Sequence, residues 1–390
     1  MSNLRIVHII TRFILGGADE NTLATCNIQA EHGHKVVLLV GSEWAETMKQ
    51  RLDPRVEFII INNMIRNISF FRDVRAFFEI LFLLKDFEPD VLHTHESKAG
   101  ILGRFAAAVI RRKTKIVHGV HIIPFVNTTS KFQYAFYFLL EKLASYFTDE
   151  FISVSPALAE VMIEKNLAKE SNNHVIFSGM DLNIFSTSLP PSDELVKSLF
   201  ADKYAEFISA FKIVIAGTLE KRKRVEIGLQ AIKKLKDCGE NAFLIVCGGG
   251  RESDNLLKLS YELGIENNVL FTGYTSNISD YIKCADLGLH CSEHEGLPRV
   301  IIQYLASGKP VISSALAGVD LVIKDGKNGY LLRTDDLVCE ISEKIYSLIH
   351  DKAKYEKFAV EAKRTELSDW DQKKMVSNIE NVYRGGDDRI

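Results

Sequence analysis

Short apolar runs alternate with longer amphipathic segments along almost the whole chain, and this alternation constrains the fold more than any other feature. Runs such as Arg5–Ile10, Lys35–Val40 and Lys115–Val120 have strand length, whereas Phe71–Leu84 and Ala99–Ile110 carry apolar residues at helical spacing. Repetition of that pair marks βα units on a parallel sheet, so the expected class is α/β. Further strands of the first series are read at Val56–Ile61, Asp90–His93, Phe151–Val154 and His174–Phe177. A second series begins at Lys212–Ala216 and continues through Ala242–Val246, Val269–Phe271, Leu287–His290 and Val311–Ser313. The polar, proline-containing stretch Phe185–Asp193 between them is the best linker in the chain. The expected domains are therefore 1–185 and 186–369, with 370–390 a C-terminal helix that packs back toward the first. Two doubly wound domains imply ligands in a cleft at the carboxyl ends of their strands.

Composition narrows the function classes. Among 390 residues, Lys and Arg number 48 and Asp and Glu 51, a formal charge of −3. That balance argues against a dedicated nucleic-acid binder, which would carry a basic excess. The six cysteines form no C-x-x-C pair and sit mostly in apolar runs such as Leu244–Cys247, so they read as reduced core thiols. The N-terminus reads as a strand rather than a secretory signal, and no apolar run approaches the roughly 20 residues that span a bilayer. The expected location is cytoplasmic, with association at the inner face of the membrane left open.

Four segments carry the chemistry. After the first strand, the glycine pair Gly16-Gly17 leads into a helix, where backbone N–H groups and the helix dipole favour an anion; a ligand-free turn is served equally by these residues. Histidines collect at two strand ends, His93 and His95, then His118 and His121, and Ser97 and Lys98 follow at a helix start. Their spacing matches no standard zinc motif and no cysteine joins them, so no metal is assigned. In the second half, Lys221-Arg-Lys-Arg224 stands just after a strand, where a diphosphate is a better partner than solvent. The most informative segment runs from Cys291 to Val311: a strand ends, a Gly/Pro turn exposes amides, and a helix starts at about Pro298. Glu295 then precedes the helix and Gln303 lies on its second turn, both able to reach one ligand; such groups suit sugar hydroxyls, and free amides suit phosphate.

Together these residues resemble a known family, the GT-B glycosyltransferases of the large retaining class called family 4, which use nucleotide-sugar donors. The most specific element is Ser292-Glu-His-Glu-Gly-Leu-Pro298 through Gly308-Lys-Pro-Val311, similar to the family's E-x7-E donor motif. Ile14–Gly17, Asp90–His95, Ser97–Gly100, Val154–Pro156, Ser178–Asp181, Gly217–Lys223 and Ile323–Gly329 support it in order along the chain. The resemblance implies two Rossmann-like domains around a central cleft. It implies a donor diphosphate held by Lys223, by Arg222 and by backbone amides at Gly16, Gly17, Gly296 and Leu297, with the dipole of the helix after Pro298. Glu295 would bind donor-sugar hydroxyls, and spacing to the Pro-Phe element assigns the family's active-site histidine to His121 rather than His118. Transfer would be retaining and front-faced, the leaving diphosphate accepting the acceptor's proton, so no glycosidase-type carboxylate pair is required. No cofactor is implied: cations and dipoles replace a metal, and transfer is expected to persist in excess chelator.

Two departures from the family pattern stand out. Gln303 occupies the place of the second acid, which holds the ribose, and an amide loses charge assistance there. Thr218 occupies the place of the arginine usually paired with the lysine, leaving Arg222 or Arg224 to supply the charge. UDP is the commoner nucleotide in the family. Relatives with the His-Thr-His and Ser-Lys-Ala-Gly segments build bacterial surface polysaccharides on a lipid carrier, so His95, Ser97 and Lys98 are assigned to a glycan acceptor. Aromatic stretches at Phe70–Phe78 and Phe132–Phe138 and the basic Arg111–Lys113 suit an anionic membrane surface, although each stretch singly reads more simply as a helix face packed on the sheet. Competing readings are a nucleotide-sugar epimerase on the same fold and an inactive GT-B partner subunit. A nicotinamide dehydrogenase is disfavoured, because no G-x-G-x-x-G follows the first strand.

Overall fold

The computed structural model describes residues 3–14, 16–110, 113–123, 130–186, 191–275, 277–295, 298–316 and 318–385. It forms two compact units, Met1–Met180 with Ser368–Ile390, and Asp181–Leu367. The first is built on β1 (Arg5–Phe13), β2 (Lys35–Trp44), β3 (Glu57–Ile61), β4 (Val91–His95), β5 (Lys115–Val120), β6 (Glu150–Ser153) and β7 (Asn173–Val175). All pairings are parallel, in the order β3-β2-β1-β4-β5-β6-β7. The second contains β8 (Phe211–Ala216), β9 (Ala242–Cys247), β10 (Val269–Gly273), β11 (Leu287–His290), β12 (Val311–Ser314) and β13 (Gly329–Leu332). Its order is β10-β9-β8-β11-β12-β13, again parallel.

In each sheet the strand order reverses in the middle, between β1 and β4 and between β8 and β11. Connecting helices leave to opposite faces at that point, which opens a crevice at the carboxyl ends of the central strands. The central strands are buried on both faces, as their unbroken apolar runs require.

The sheet faces of the first unit are covered by distinct apolar clusters. One joins Val7, Ile9, Val37 and Leu92 to Ile80 and Leu84 of the helix Phe70–Phe87. Another joins Ile6, Val91, Val117 and Ile152 to Met375, Val376, Ile379 and Val382 of the helix Gln372–Arg384, so the end of the chain completes this unit's core. Approach of that final segment is close: a Cβ at Gly179 would collide with the backbone of Gln372, and Met180 bridges Asp371.

Three features differ from the sequence reading. The units divide at Met180/Asp181, ahead of the polar stretch, because the short helix Asn183–Ser186 packs on the second unit's helices Ile278–Cys284 and Arg299–Ala306. Residues 187–190 of the expected linker lie outside the described residues. Strand β13 is additional; it opens on Gly329, where a side chain would strike the Val311 carbonyl, so a close backbone approach looks like a turn signal in sequence. All six cysteines are free, but only Cys26, Cys247 and Cys291 are buried, while Cys238 is exposed.

The crossing of β11 with the helix Arg299–Ala306 sets the second unit's geometry. Tyr304 is fully buried, and its hydroxyl accepts from the Ala216 amide at 2.9 Å, pinning the helix to the end of β8. Its ring lies over Gly288, where an added Cβ would overlap the aromatic carbons. Gly288→Ala is therefore expected to destabilise the second unit by about 1–3 kcal/mol through overpacking, read as a lower urea midpoint with unchanged slope.

Candidate functional site

Each crevice gathers the residues that carry chemistry, and the two are built on opposite principles. In the first unit, His8 of β1 pairs in register with His93 of β4, and His95 follows two residues on, so all three share one face of the sheet. Gly119 lies beside His95 on β5, and a Cβ there would crowd His93, His95 and His121 at 3.1–3.3 Å, so the glycine makes room for three imidazoles. His8 Nε2 bonds Gln29 Oε1 at 2.8 Å, His8 Nδ1 meets His95 Nε2 at 3.0 Å, and His95 Nδ1 meets His121 Nε2 at 3.2 Å. With Gln29 oxygen as the terminal acceptor, the neutral chain orders its protons: His8 donates from Nε2, and His95 and His121 each donate from Nε2 to the next ring. Tyr383 joins from the C-terminal helix, accepting from Gln29 Nε2 at 3.3 Å and meeting His93 Nδ1 at 2.6 Å.

Burial pushes His8 down to about 4 and holds His93 and His95 well below the usual imidazole range. These rings are neutral hydrogen-bonding groups at pH 7. His93, His95, Gly119 and His121 line a cavity of about 10 Å³, room for about one water, with Asn21, Thr25 and Met375 among its other walls. One nitrogen from each of His8, His93 and His95 lies within 4.8 Å of the other two. The set brings no anion of its own to offset a buried divalent charge, and the His8–His95 hydrogen bond already satisfies two of its nitrogens.

His118 points the other way. It pairs in register with Thr94, bonds Thr94 Oγ1 at 2.9 Å, and lies against Gly100 and Arg104 of the helix Ser97–Ile110. A Cβ at Gly100 would clash with its ring, which explains the glycine of Ser97-Lys-Ala-Gly100 as a packing requirement. Lys98, assigned from sequence to a glycan acceptor, is already engaged: its ammonium bonds Asp73 at 2.7 Å and the Asn67 carbonyl. Ser97 is half-buried at the same helix start.

Gly16 caps the helix Gly17–Glu31 in extended conformation, with Asp19 in the first turn. Asp19 is buried, and burial together with the nearby Glu96 carboxylate pushes it up to about 7. Glu96 is itself raised, chiefly by burial, and takes the left-handed conformation with φ of 59°. Sequence reading passed over both acids; the signal was an acid in the first turn after a glycine cap and an acid directly after His95.

The second crevice is charged. After β8, Gly217 adopts φ of +143°, and a Cβ there would sit 3.6 Å from Lys223 Nζ. Thr218 is half-buried beside it. Lys223 forms an ion pair with Glu295, and Arg222 reaches the same carboxylate oxygen at 2.5 Å. Burial alone would raise Glu295; Lys223 and Arg222 outweigh it and hold the carboxyl below its usual range. Arg224 is used structurally, donating to the Cys291 carbonyl at 2.9 Å. Pro298 caps the helix Arg299–Ala306, whose Gln303 is half-buried. Gly296 and Leu297 lie outside the described residues. His290, missed by sequence reading because it stands inside an apolar strand, is buried here and electrostatically coupled to Lys223, Glu295 and Arg222.

Comparisons with known proteins point one way. The description "Glycosyl transferases group 1" matches residues 200–365, and "Glycosyltransferase Family 4" matches residues 15–184. An Escherichia coli protein named UDP-Gal:alpha-D-GlcNAc-diphosphoundecaprenol alpha-1,3-galactosyltransferase is 26% identical over 86% of this chain and 86% of its own. The capsular polysaccharide biosynthesis glycosyltransferase CapM of Staphylococcus aureus is 24% identical over 82% of this chain and 83% of its own. Among solved structures, Anabaena HepE in complex with UDP and glucose superposes with TM-score 0.80 at 20% identity, covering 98% of this chain and 100% of that one.

The neutral histidines make stability depend on pH. An unfolded histidine takes up a proton near 6.5, whereas His8 and His290 in the fold do so only near 4. Between these values the unfolded chain binds more protons, so the contribution is complete above about 6.5 and is lost as pH falls toward 4. Lowering the pH from 7.5 to 5 should cost about 2 kcal/mol for each of these rings, measured by urea unfolding, and His8→Asn should flatten that dependence.

Proposed function

The chain belongs to the group 1 glycosyltransferases, with a family 4 domain in its first half and two Rossmann-like units of the GT-B kind; from that premise we propose that it is a retaining hexosyltransferase acting in bacterial surface polysaccharide or lipopolysaccharide biosynthesis. The donor in this reading is a UDP-sugar, and the acceptor is a lipid-linked glycan. The observation that carries it is the Lys223–Glu295–Arg222 cluster at the carboxyl ends of β8 and β11. Lys223 and Arg222 share the Glu295 carboxylate and Arg222 also pairs with Glu220; in this reading a diphosphate exchanges for those carboxylates on the cations, while Glu295 is placed to accept from sugar hydroxyls. Gly16, Gly17, Gly296, Leu297 and Pro298 are assigned backbone and helix-terminal contacts to the donor, Thr218 a place beside the cations, and Gln303 the ribose. No metal is invoked: cations and dipoles balance the leaving diphosphate, which accepts the acceptor's proton.

On the acceptor side, His121 follows His95 in the ordered chain from Gln29 and is assigned the active-site role. Ser97 retains an acceptor role in this reading, whereas the Lys98 ammonium reaches a ligand only by exchanging Asp73.

Among the described residues no helix is long and apolar enough to cross a membrane. The helix Phe70–Phe87 instead presents Phe70 at 74% and Phe71 at 79% exposure, together with Phe78 and Phe82. Arg66, Arg72 and Arg75 are exposed around them. The core reading therefore fails for most of this stretch, and basic and aromatic side chains together support docking on an anionic bilayer. In the second aromatic stretch Tyr134, Tyr137 and Phe138 pack inward, and Arg111 and Arg112 lie outside the described residues.

The donor reading predicts a rise in melting temperature with UDP or its sugar conjugates, lost in Lys223→Ala, because a ligand bound only by the native state stabilises it; no shift with any of them would favour an inactive subunit. Gln303→Glu should keep or tighten donor binding, and loss of turnover in that variant would refute the ribose assignment. For the membrane, the protein should cosediment with phosphatidylglycerol vesicles, and Phe70→Ser with Phe71→Ser should weaken this about tenfold or more, in line with the apolar area removed. Equal recovery in the supernatant with and without vesicles would refute it.

A further inference from the structure

Among the described residues, two buried polar atoms at the end of β11, His290 Nε2 and Ser292 Oγ, have no hydrogen-bond partner. His290 is 4% and Ser292 1% exposed. Leu287, Leu289 and Cys291, which alternate with them, pack into the unit's core cluster, so His290 and Ser292 take the opposite side. The chain just beyond joins the charged crevice, since the Glu293 amide donates to the Arg222 carbonyl at 2.9 Å, and His290 feels the charges of Lys223, Glu295 and Arg222.

Hydrogen bonding assigns the imidazole's tautomer. Ser313 Oγ donates its one proton to the Ser314 carbonyl at 3.0 Å, so at 3.2 Å from His290 Nδ1 it accepts. Nδ1 carries the hydrogen and Nε2 the lone pair. Burial and the neighbouring Lys223 push the ring down to about 4, so Nε2 remains an acceptor at neutral pH. A buried acceptor without a donor is costly, and such a pair of atoms in a binding crevice calls for a ligand that supplies hydrogens. Ionised phosphate oxygens only accept, so they are a poor match for the Nε2 lone pair. A hydroxyl donates to it well, and Ser292 Oγ accepts from or donates to a second one.

We propose that His290 Nε2 and Ser292 Oγ form a hydroxyl-reading subsite for the sugar moiety of the donor, next to Glu295. The inference rests on the reading that Lys223 and Glu295 hold a nucleotide-sugar. It adds that the sugar is recognised partly from the floor of the crevice, by a neutral acceptor and a serine, and that this recognition is separate from the hold on the diphosphate.

The test measures affinities of the full chain for UDP, UDP-glucose, UDP-galactose and UDP-N-acetylglucosamine by calorimetry, in the wild type and in His290→Leu, His290→Gln and Ser292→Ala. The conjugate that binds the wild type more tightly than UDP should lose about tenfold in affinity in His290→Leu, with UDP changed less than about twofold. His290→Gln, whose amide oxygen restores an acceptor, should recover part of the loss. Ser292→Ala removes a single oxygen and should show the same conjugate-selective loss even if His290→Leu does not fold. Equal affinities in all variants, or an equal loss for UDP and conjugate, overturn the subsite. Failure of the wild type to bind UDP, or unchanged binding in Lys223→Ala, overturns the donor reading itself and the subsite with it.

Discussion

A parallel sheet whose strand order reverses in its middle has its faces closed by helices and leaves its central strand ends uncovered, and the chemistry of this chain depends on that constraint. Apolar strands such as β1, β2 and β9 are buried on both faces and hold the scaffold still. Polar side chains then collect around those strand ends: His95 and Glu96 at the end of β4, Asp19 in the helix after β1, and Lys223, Ser292 and Glu295 after β8 and β11. The pinning of Tyr304 to Ala216 over Gly288 shows how close that packing is. It holds the helix that follows Glu295 against the strand that precedes Lys223, so two segments distant in sequence share one crevice.

The two crevices treat charge differently. In the first, the imidazoles of His8, His93 and His95 are desolvated to neutrality and satisfied largely by one another, by Gln29 and by Tyr383. Neutral donors and acceptors in a fixed order suit hydroxyl recognition, where direction matters more than field strength. The carboxyl of Asp19, raised to about 7, sits at the edge of this region and is the acid there that changes protonation near neutrality. In the second crevice the charges remain, with Lys223 and Glu295 largely covered and Arg222 more open, and they pair with one another and with Glu220. In the proposed reading a diphosphate, with more charge than one carboxylate, would compete for Lys223 and Arg222 and so free Glu295 for hydroxyls.

How much of this was legible in the sequence follows from the range of each interaction. Strand positions were, because burial on both faces writes an unbroken apolar run. The places of Lys223 and Glu295 just beyond strand ends were, because each follows closely on an apolar run. Strand β13 was not, since its opening glycine serves a close approach to Val311 that only the fold creates. The partners of the histidine chain were hidden as well: Gln29 lies in a helix interior and Tyr383 sits 290 residues from His93. Lys98 read as available because Asp73, its partner, belongs to another helix. Phe70 and Phe71 read more simply as core, because helical spacing reports a face without saying what that face meets.

The substitution at position 303 acquires a physical sense from the same charges. Lys223 and Arg222 supply two positive charges, and Glu295 together with Glu220, which pairs with Arg222 at 3.1 Å, supplies two negative ones. A glutamate at 303 would offer a charge-assisted bond to a ribose hydroxyl, but it would also add a negative group on the same helix start that is to receive a diphosphate. Glutamine keeps one acceptor oxygen and adds no further negative charge beside cations that two carboxylates already balance. Gln303 is half-buried, so solvent screens most of the difference at longer range, and what changes is the short contact with its own ligand atom. In the proposed reading the glutamine gives up strength at the ribose and adds no negative charge near the phosphates. Neither change reaches His290 and Ser292, whose unsatisfied atoms lie in a buried layer where hydrogen-bond direction, rather than net charge, sets what fits.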